Sequence, residues 1–385
     1  MVGASTHTIV TTTPPERLLM GPGPSNPDPR VLEAMARPMV GHLDPYFLQV
    51  MDETMRMLRI VYGTANHHTI PMSGTGTSGL ETIMLNLLEP GDEVVVGVIG
   101  YFGQRLREMA SRAGASVRVL EAPFGEVLLP EQIEEELVRR PAKLVALVHA
   151  ETSTGAAQNV ADVAGIARRH GALVAIDCVT SLAGMPVLID EWGVDAAGSC
   201  SQKCIGAPPG LGPVTFGSRA MATVSQRKTP PPTWYLDLRL LFQYWGESGG
   251  TQQRAFHHTA PVSSIYALHE ALRLILEEGL EARWERHRVA HGHLVSGLDR
   301  LGLTLLTPKG HRLPMLNVVE IPDGLDDVTV RGRLLDRGIE IAGGFGPLTG
   351  KTWRIGLMGV NADPPRVDRL LGALEEVLGE LGWSA

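Results

Sequence analysis

From residue 93 onward, short apolar runs alternate with stretches of helical spacing, and this rhythm limits the fold more than any other feature of the chain. Strands are expected at 93–98, 116–120, 143–148, 172–176 and 194–199, and helices at 103–113, 130–139 and 160–170. Runs such as Val94-Val95-Val96 and Ala172-Leu173-Val174-Ala175-Ile176 are apolar at every position. Such a strand must be covered on both faces, as in a parallel sheet sandwiched by crossover helices. The expected class is therefore α/β, with a mostly parallel sheet and right-handed crossovers. Further helical spacing occurs at 31–37, 46–62, 79–88, 263–278 and 280–298. Residues 225–255, rich in Pro, Trp, Tyr, Gly and Gln, read as irregular surface or interface. The last stretch, from about 300, reads strand, helix, strand, strand, helix. The expected division is an N-terminal arm (1–20), a large domain (21–278) and a small α+β domain (279–385), with Gly21-Pro22-Gly23-Pro24 as a turn-rich entry to the large domain.

Charge and cysteine usage narrow the function. A net charge of −8 without a long basic run argues against nucleic acid and anionic membranes as partners. Three cysteines, Cys178, Cys200 and Cys204, cannot make a disulfide framework and suit a reducing compartment. The N-terminal segment has no basic stretch followed by an apolar one, no apolar run is long enough to span a bilayer, and the C-terminal tripeptide is no peroxisomal address; a cytoplasmic location is expected.

Two glycine-rich stretches invite nucleotide readings. Gly74-Thr75-Gly76-Thr77-Ser78-Gly79 fits the dinucleotide fingerprint, but the following strand lacks the acidic residue at its end that would bind a ribose hydroxyl. Small residues opening a helix still present free N–H groups to a phosphate. The stretch Gly346 to Thr352 imitates a phosphate loop, yet its first glycine falls on Phe345 and a strand follows.

Only five of the 34 basic residues are lysines, so lysine chemistry has few candidates. Lys203 follows the strand at 194–199 among small residues and precedes Gly206-Ala207-Pro208-Pro209-Gly210. There it is partly desolvated, which lowers an amine's pKa and makes it nucleophilic toward aldehydes. Asp177 ends the apolar strand at 172–176, the edge where α/β sheets place ligands, though a strand-end cap is the plainer alternative. An amine, a carboxylate and an anion site are what pyridoxal 5′-phosphate requires: a partner for its aldehyde, one for its protonated ring nitrogen and one for its phosphate.

The whole pattern resembles the class V aminotransferases of PLP fold type I, in particular the alanine–glyoxylate, serine–glyoxylate and serine–pyruvate aminotransferase family. The residues carrying the likeness are Gly21-Pro22-Gly23-Pro24-Ser25-Asn26, Ser73-Gly74-Thr75-Gly76, Gly103-Gln104-Arg105, Glu151-Thr152-Ser153-Thr154-Gly155, Ser201-Gln202-Lys203, Ala207-Pro208-Pro209-Gly210, His257-His258-Thr259 and Trp353-Arg354-Ile355-Gly356. The resemblance implies Lys203 as Schiff-base lysine and proton carrier, and Asp177 as partner of the ring nitrogen. Phe102, where the family often has Trp, would stack on the ring. Thr75, Gly76, Thr77 and Gln202 would hold the phosphate, Ser153 would lie near the ring hydroxyl, and Thr259 would complete the phosphate cup of a second subunit in a homodimer with shared sites. Arg354 would grip the substrate carboxylate, with Asn26 and His42 also against the substrate. Phe256 replaces a Tyr that in the alanine–glyoxylate enzymes adds a phosphate hydrogen bond. The histidine pair reads as structural, since no third metal ligand is suitably spaced.

The expected reaction is transamination from a small amino acid, alanine or serine, to glyoxylate or pyruvate, since no second arginine is obviously placed for a distal carboxylate. Other readings are weaker. (S)-Ureidoglycine–glyoxylate aminotransferase activity goes with amide-bearing residues where this chain has His42 and Phe256. A cysteine desulfurase or selenocysteine lyase needs a cysteine in the C-terminal part, and none follows Cys204. A nicotinamide-dependent oxidoreductase rests on one glycine loop, and a non-catalytic cofactor-binding protein differs only in turnover.

Overall fold

A computed structural model describes residues 13–246 and 254–383. The beginning of the expected arm, residues 1–12, and part of the 225–255 segment lie outside the described residues. The central sheet has seven strands: β1 (His68–Ser73), β2 (Glu93–Val98), β3 (Ser116–Glu121), β4 (Leu144–Val148), β5 (Leu173–Asp177), β6 (Ala196–Gly198) and β7 (Leu211–Phe216). Their order is β1-β7-β6-β5-β4-β2-β3, with every pair parallel except the two that β7 makes. Strands β4, β5 and β7 are buried along their whole length, as their apolar sequences require.

Five of the seven strands follow the alternation seen in the sequence. The other two, β1 and β7, carry Pro71 and Pro213, residues that normally argue against a strand. They pair antiparallel with Pro71 opposite Pro213, and β1 forms the sheet edge. A short helix at Leu238–Trp245, capped by the Asp237 carboxylate on Arg239 N (3.0 Å), replaces part of the expected irregular segment.

Helices α1 (Gly76–Leu87), α2 (Tyr101–Arg112), α3 (Pro130–Arg139) and α4 (Val160–Arg169) connect the strands. Long helices α5 (Val262–Glu278) and α6 (Leu280–Arg300) lead to a three-stranded antiparallel sheet of β8 (Leu316–Glu320), β9 (Ala342–Gly343) and β10 (Thr352–Gly356), with β10 central. Helix α7 (Pro364–Glu380) packs against α6.

Apolar side chains form two clusters. One is built almost wholly from residues 31–280 around the large sheet; the other lies mainly between α6, α7 and the small sheet. Leu18 and Met20, at the end of the expected arm, belong to the second, and Leu18–Leu19 pairs in parallel with Ile339–Glu340. The chain thus visits the second cluster before building the first, and the Gly-Pro-Gly-Pro turn lies between the two. Among the described residues, no helix is long and apolar enough to cross a membrane.

Candidate active site

Where the parallel strands end, the chain lines a cavity with two lobes sharing Phe102, Thr152 and Lys203. The first, about 160 Å³, is lined by Thr75, Gly76, Thr77, Phe102, Arg105, Thr152, Asp177, Val179, Cys200, Gln202 and Lys203. The second, about 230 Å³, adds Gly21 to Pro24, Glu340, Ala342, Phe345 and Arg354.

Lys203 lies in the turn that follows β6. Burial pulls its amine below the ordinary range of a lysine, which favours the neutral, nucleophilic form. The amine donates to Pro22 O, and Ser25 binds the carbonyl of Lys203 through Oγ (2.9 Å) and that of Gln202 through its N–H (3.0 Å). The Gly-Pro-Gly-Pro-Ser segment therefore packs directly on the lysine. Gly23, at φ +105°, leaves the room: a Cβ there would lie 2.5–2.9 Å from the lysine's Cδ, Nζ and Cε.

Asp177 ends β5 and is 3% exposed. Its Oδ1 accepts from Val179 N (2.9 Å), so the residue is a strand-end cap and a cavity wall at once. Burial raises its pKa to about 6, against opposing pulls from the Val179 N–H, Arg105 and Lys203. A cation in the lobe would return the carboxylate to its charged form.

Helix α1 opens at the other end of this lobe. Thr75, its N-cap, makes no side-chain cap, so first-turn N–H groups are left to whatever fills the space. Gly76 permits the helix to approach: a Cβ would lie 2.8 Å from Cys200 Cβ and 3.1 Å from Ser199 O. Gln202 Oε1 is buried without a hydrogen-bond partner. Phe102 turns its ring toward Arg105, whose guanidinium carbon lies 4.5 Å from the ring centroid. Uncapped donors, a buried carboxylate, a desolvated amine and an aromatic face fit pyridoxal 5′-phosphate.

Several expected contacts fall elsewhere. Thr152 lines both lobes, whereas Ser153 turns away: its hydroxyl accepts from Tyr101 N (2.9 Å) and donates to Glu151 Oε1 (2.6 Å). Thr152 is thus the lining residue of the pair, and its hydroxyl meets Thr180 Oγ1 at 2.6 Å. Asn26, expected at the substrate, is a brace: its amide oxygen accepts from Leu19 N (2.8 Å) and Asn361 Nδ2 (3.0 Å), and its nitrogen donates to Arg17 O (2.9 Å). His42 lies outside both lobes, its ring 5.2 Å from that of Phe256. Thr259, expected to serve a second subunit, is exposed and does not line this chain's own lobes. The histidine pair is joined by a 2.7 Å contact between the two Nδ1 atoms, while His258 Nε2 meets Ser73 Oγ at 2.7 Å and Trp234 stacks 4.3 Å from His257.

The sequence reading gave Glu151 no role of its own, yet it sets the position of Phe102. Gly100, the N-cap of α2, has no side chain to cap with, and Glu151 serves instead. Its carboxylate accepts from Phe102 N (3.1 Å), Gly103 N (3.2 Å), Ser153 N (3.0 Å) and Ser153 Oγ. Burial raises its pKa and those donors oppose the rise. Glu151→Ala is expected to lower folding stability by about 2–4 kcal/mol in chemical denaturation, because buried N–H groups lose their acceptor. An unchanged denaturation midpoint would contradict that role.

A desolvated lysine, a buried aspartate at a strand end and a helix N-terminus around one cavity of this fold define a pyridoxal-phosphate enzyme. Residues 19–357 match the family model described as aminotransferase class V, and the chain belongs to that family: it is an aminotransferase whose cofactor is pyridoxal 5′-phosphate. It is 40% identical over 383 residues to the (S)-ureidoglycine–glyoxylate transaminase of Bacillus subtilis (strain 168), covering 94% of this chain and 91% of the relative. It is 41% identical over 366 residues to the alanine–glyoxylate aminotransferase of Mus musculus, covering 94% and 88%. The crystal structure of an alanine–glyoxylate aminotransferase from a Nostoc species superposes with a TM-score of 0.93 at 49% identity, over 96% of this chain and 97% of that one.

Proposed function

We propose that this aminotransferase moves the amino group of a small amino acid, alanine or serine, to glyoxylate or pyruvate. One observation carries the reading of substrate size and charge. The second lobe, about 230 Å³, has Arg354 as its single arginine and Glu340 as its single acid. Ile339 and Ile341 are buried in the core, so strand alternation turns Glu340 and Ala342 together toward the cavity. One carboxylate is gripped there, and a second meets a like charge.

When bound, pyridoxal phosphate supplies an aldehyde for the amine and a protonated ring that draws electrons from the α-carbon. Lys203 is the amine that would hold the cofactor, and the same amine would move the substrate's α-proton. Asp177 keeps the ring nitrogen protonated. Thr75, Gly76, Thr77 and Gln202 would hold the phosphate, Phe102 would cover the ring, and Thr152, which lines both lobes, would stand nearer the ring than Ser153. Arg354 holds the carboxylate through a fork of N–H donors.

Thr259 serves the site of a second copy of this chain, and the enzyme is a homodimer. Support comes from the exposed Trp234 (62%) and Phe256 (61%), joined through His257, His258, Tyr244 and His42 into one ring-rich patch beside Thr259. Three free, buried cysteines support a cytoplasmic location.

The test mixes holoenzyme separately with alanine, serine, glycine, aspartate and (S)-ureidoglycine and follows cofactor absorbance in a single half-reaction. Alanine or serine is expected to react fastest and aspartate slowest. Fastest reaction with ureidoglycine would establish the alternative that the Bacillus relative suggests; reaction with none would end the proposal. Arg354→Ala is expected to raise KM for alanine about a hundredfold with the colour intact.

A further inference from the structure

Arg354 is held at two points by one loop. It lies on β10 and is 5% exposed; its Nε donates to Gly343 O at 2.8 Å. Two residues further on, the Phe345 ring lies under the guanidinium, with Cζ 4.0 Å from the ring centroid. The loop is tied by its own backbone: Gly344 N to Thr352 O (2.9 Å), Leu348 N to Phe345 O (3.0 Å), Thr349 N to Gly346 O (3.1 Å) and Lys351 N to Leu348 O (3.0 Å). The Phe345 ring also reaches α2, 5.0 Å from the Tyr101 ring and 6.0 Å from that of Phe102. Tyr101 is itself fixed by the hydrogen bond from its N–H to Ser153 Oγ.

A guanidinium can meet a carboxylate side-on, through Nε and one terminal nitrogen, or end-on, through both terminal nitrogens. Gly343 O occupies Nε, which leaves the end-on mode. A cation on an aromatic face is also held against swinging out of plane.

We propose that Phe345 is the positioning residue of Arg354: seated under the guanidinium and against Tyr101, it fixes the fork so that its two terminal nitrogens meet the donor's carboxylate end-on. The inference rests on the reading of Arg354 as the carboxylate site. It also ties carboxylate binding to the cofactor side of the cavity, because Phe345 touches Phe102.

The test compares holoenzymes of wild type, Phe345→Leu, Phe345→Ala and Phe345→Tyr. Two quantities are read: KM and kcat for alanine with glyoxylate, and the Kd of propionate, a carboxylate that cannot react, by calorimetry. Phe345→Leu and Phe345→Ala are expected to raise alanine KM and propionate Kd together by about tenfold, with kcat within about twofold of wild type. Phe345→Tyr, which keeps the ring, is expected to restore both. A merely structural role would instead lower kcat and thermal stability while leaving propionate Kd unchanged, and that result overturns the inference. Should Phe345→Ala fail to fold, Leu and Tyr carry the comparison. A wild-type enzyme that transaminates no donor removes the function proposed above, whereas the propionate series still reports on Phe345.

Discussion

Lys203→Ala is expected to remove the imine absorbance of the lysine-linked cofactor and to lower kcat by more than about ten-thousand-fold, beyond what general acid–base catalysis alone contributes. The size of the effect follows from two roles in one side chain. On the mechanism proposed above, the amine would form the covalent link to the cofactor and would also be the base that moves the α-proton. No other lysine lines either lobe to replace it. An added small amine can take over proton transfer, so about ten- to hundredfold recovery of a single half-reaction is expected. Borohydride reduction of wild type followed by peptide mapping provides a direct check. An adduct on Lys143, Lys228, Lys309 or Lys351 would remove Lys203 from the mechanism.

Asp177→Asn should cut kcat by about 100- to 1,000-fold with little change in KM. A carboxylate about 4 Å from the ring nitrogen stabilises its proton by about 4 kcal/mol at an effective dielectric near 20, or about three pK units. Asn keeps the shape and the cap on Val179 but supplies no charge. Activity within about tenfold of wild type would show that the ring is protonated by other means. The same residue makes a prediction about stability. In the cofactor-free protein burial raises its pKa from 3.8 to about 6. The folded state then holds this proton more tightly than the unfolded state. The resulting stabilisation is present below about pH 4 and is lost as pH rises through 6. Its size is about 3 kcal/mol. Cofactor-free Asp177→Asn is expected to lack that decline, so the wild-type-minus-variant difference in denaturation free energy should slope between pH 4 and 6. A flat difference rules out the raised pKa. Cofactor affinity of wild type should fall as pH drops below 6, since a neutral acid no longer attracts the ring cation.

The inner parallel strands β4 and β5 were legible because strands buried on both faces are apolar at nearly every position, and few other structures demand that. Strands β1 and β7 were not legible. Pro71 and Pro213 speak against strands locally, and only the antiparallel pairing that sets them opposite each other makes their missing donors harmless. Asn26 shows the reverse case. It stands in a motif shared with the family, and its side chain is engaged by the nearby Arg17 and Leu19 and the distant Asn361. Ser153 and Thr152 illustrate a finer limit: neighbouring hydroxyl residues look alike in sequence, and the turn at Glu151 decides which residue lines the cavity.

By itself the sequence determined the alternation of strands and helices, the amine at 203, the acid at 177 and the glycine-opened helix at 76, because each of these is a local demand on residue type. Tertiary structure alone decided which groups meet. It brought Glu151 to cap α2, set Phe345 beneath Arg354 and returned Leu18 and Met20 to the second core. Those contacts join residues far apart in the chain, and nothing in local propensity or spacing records a distance that only folding closes.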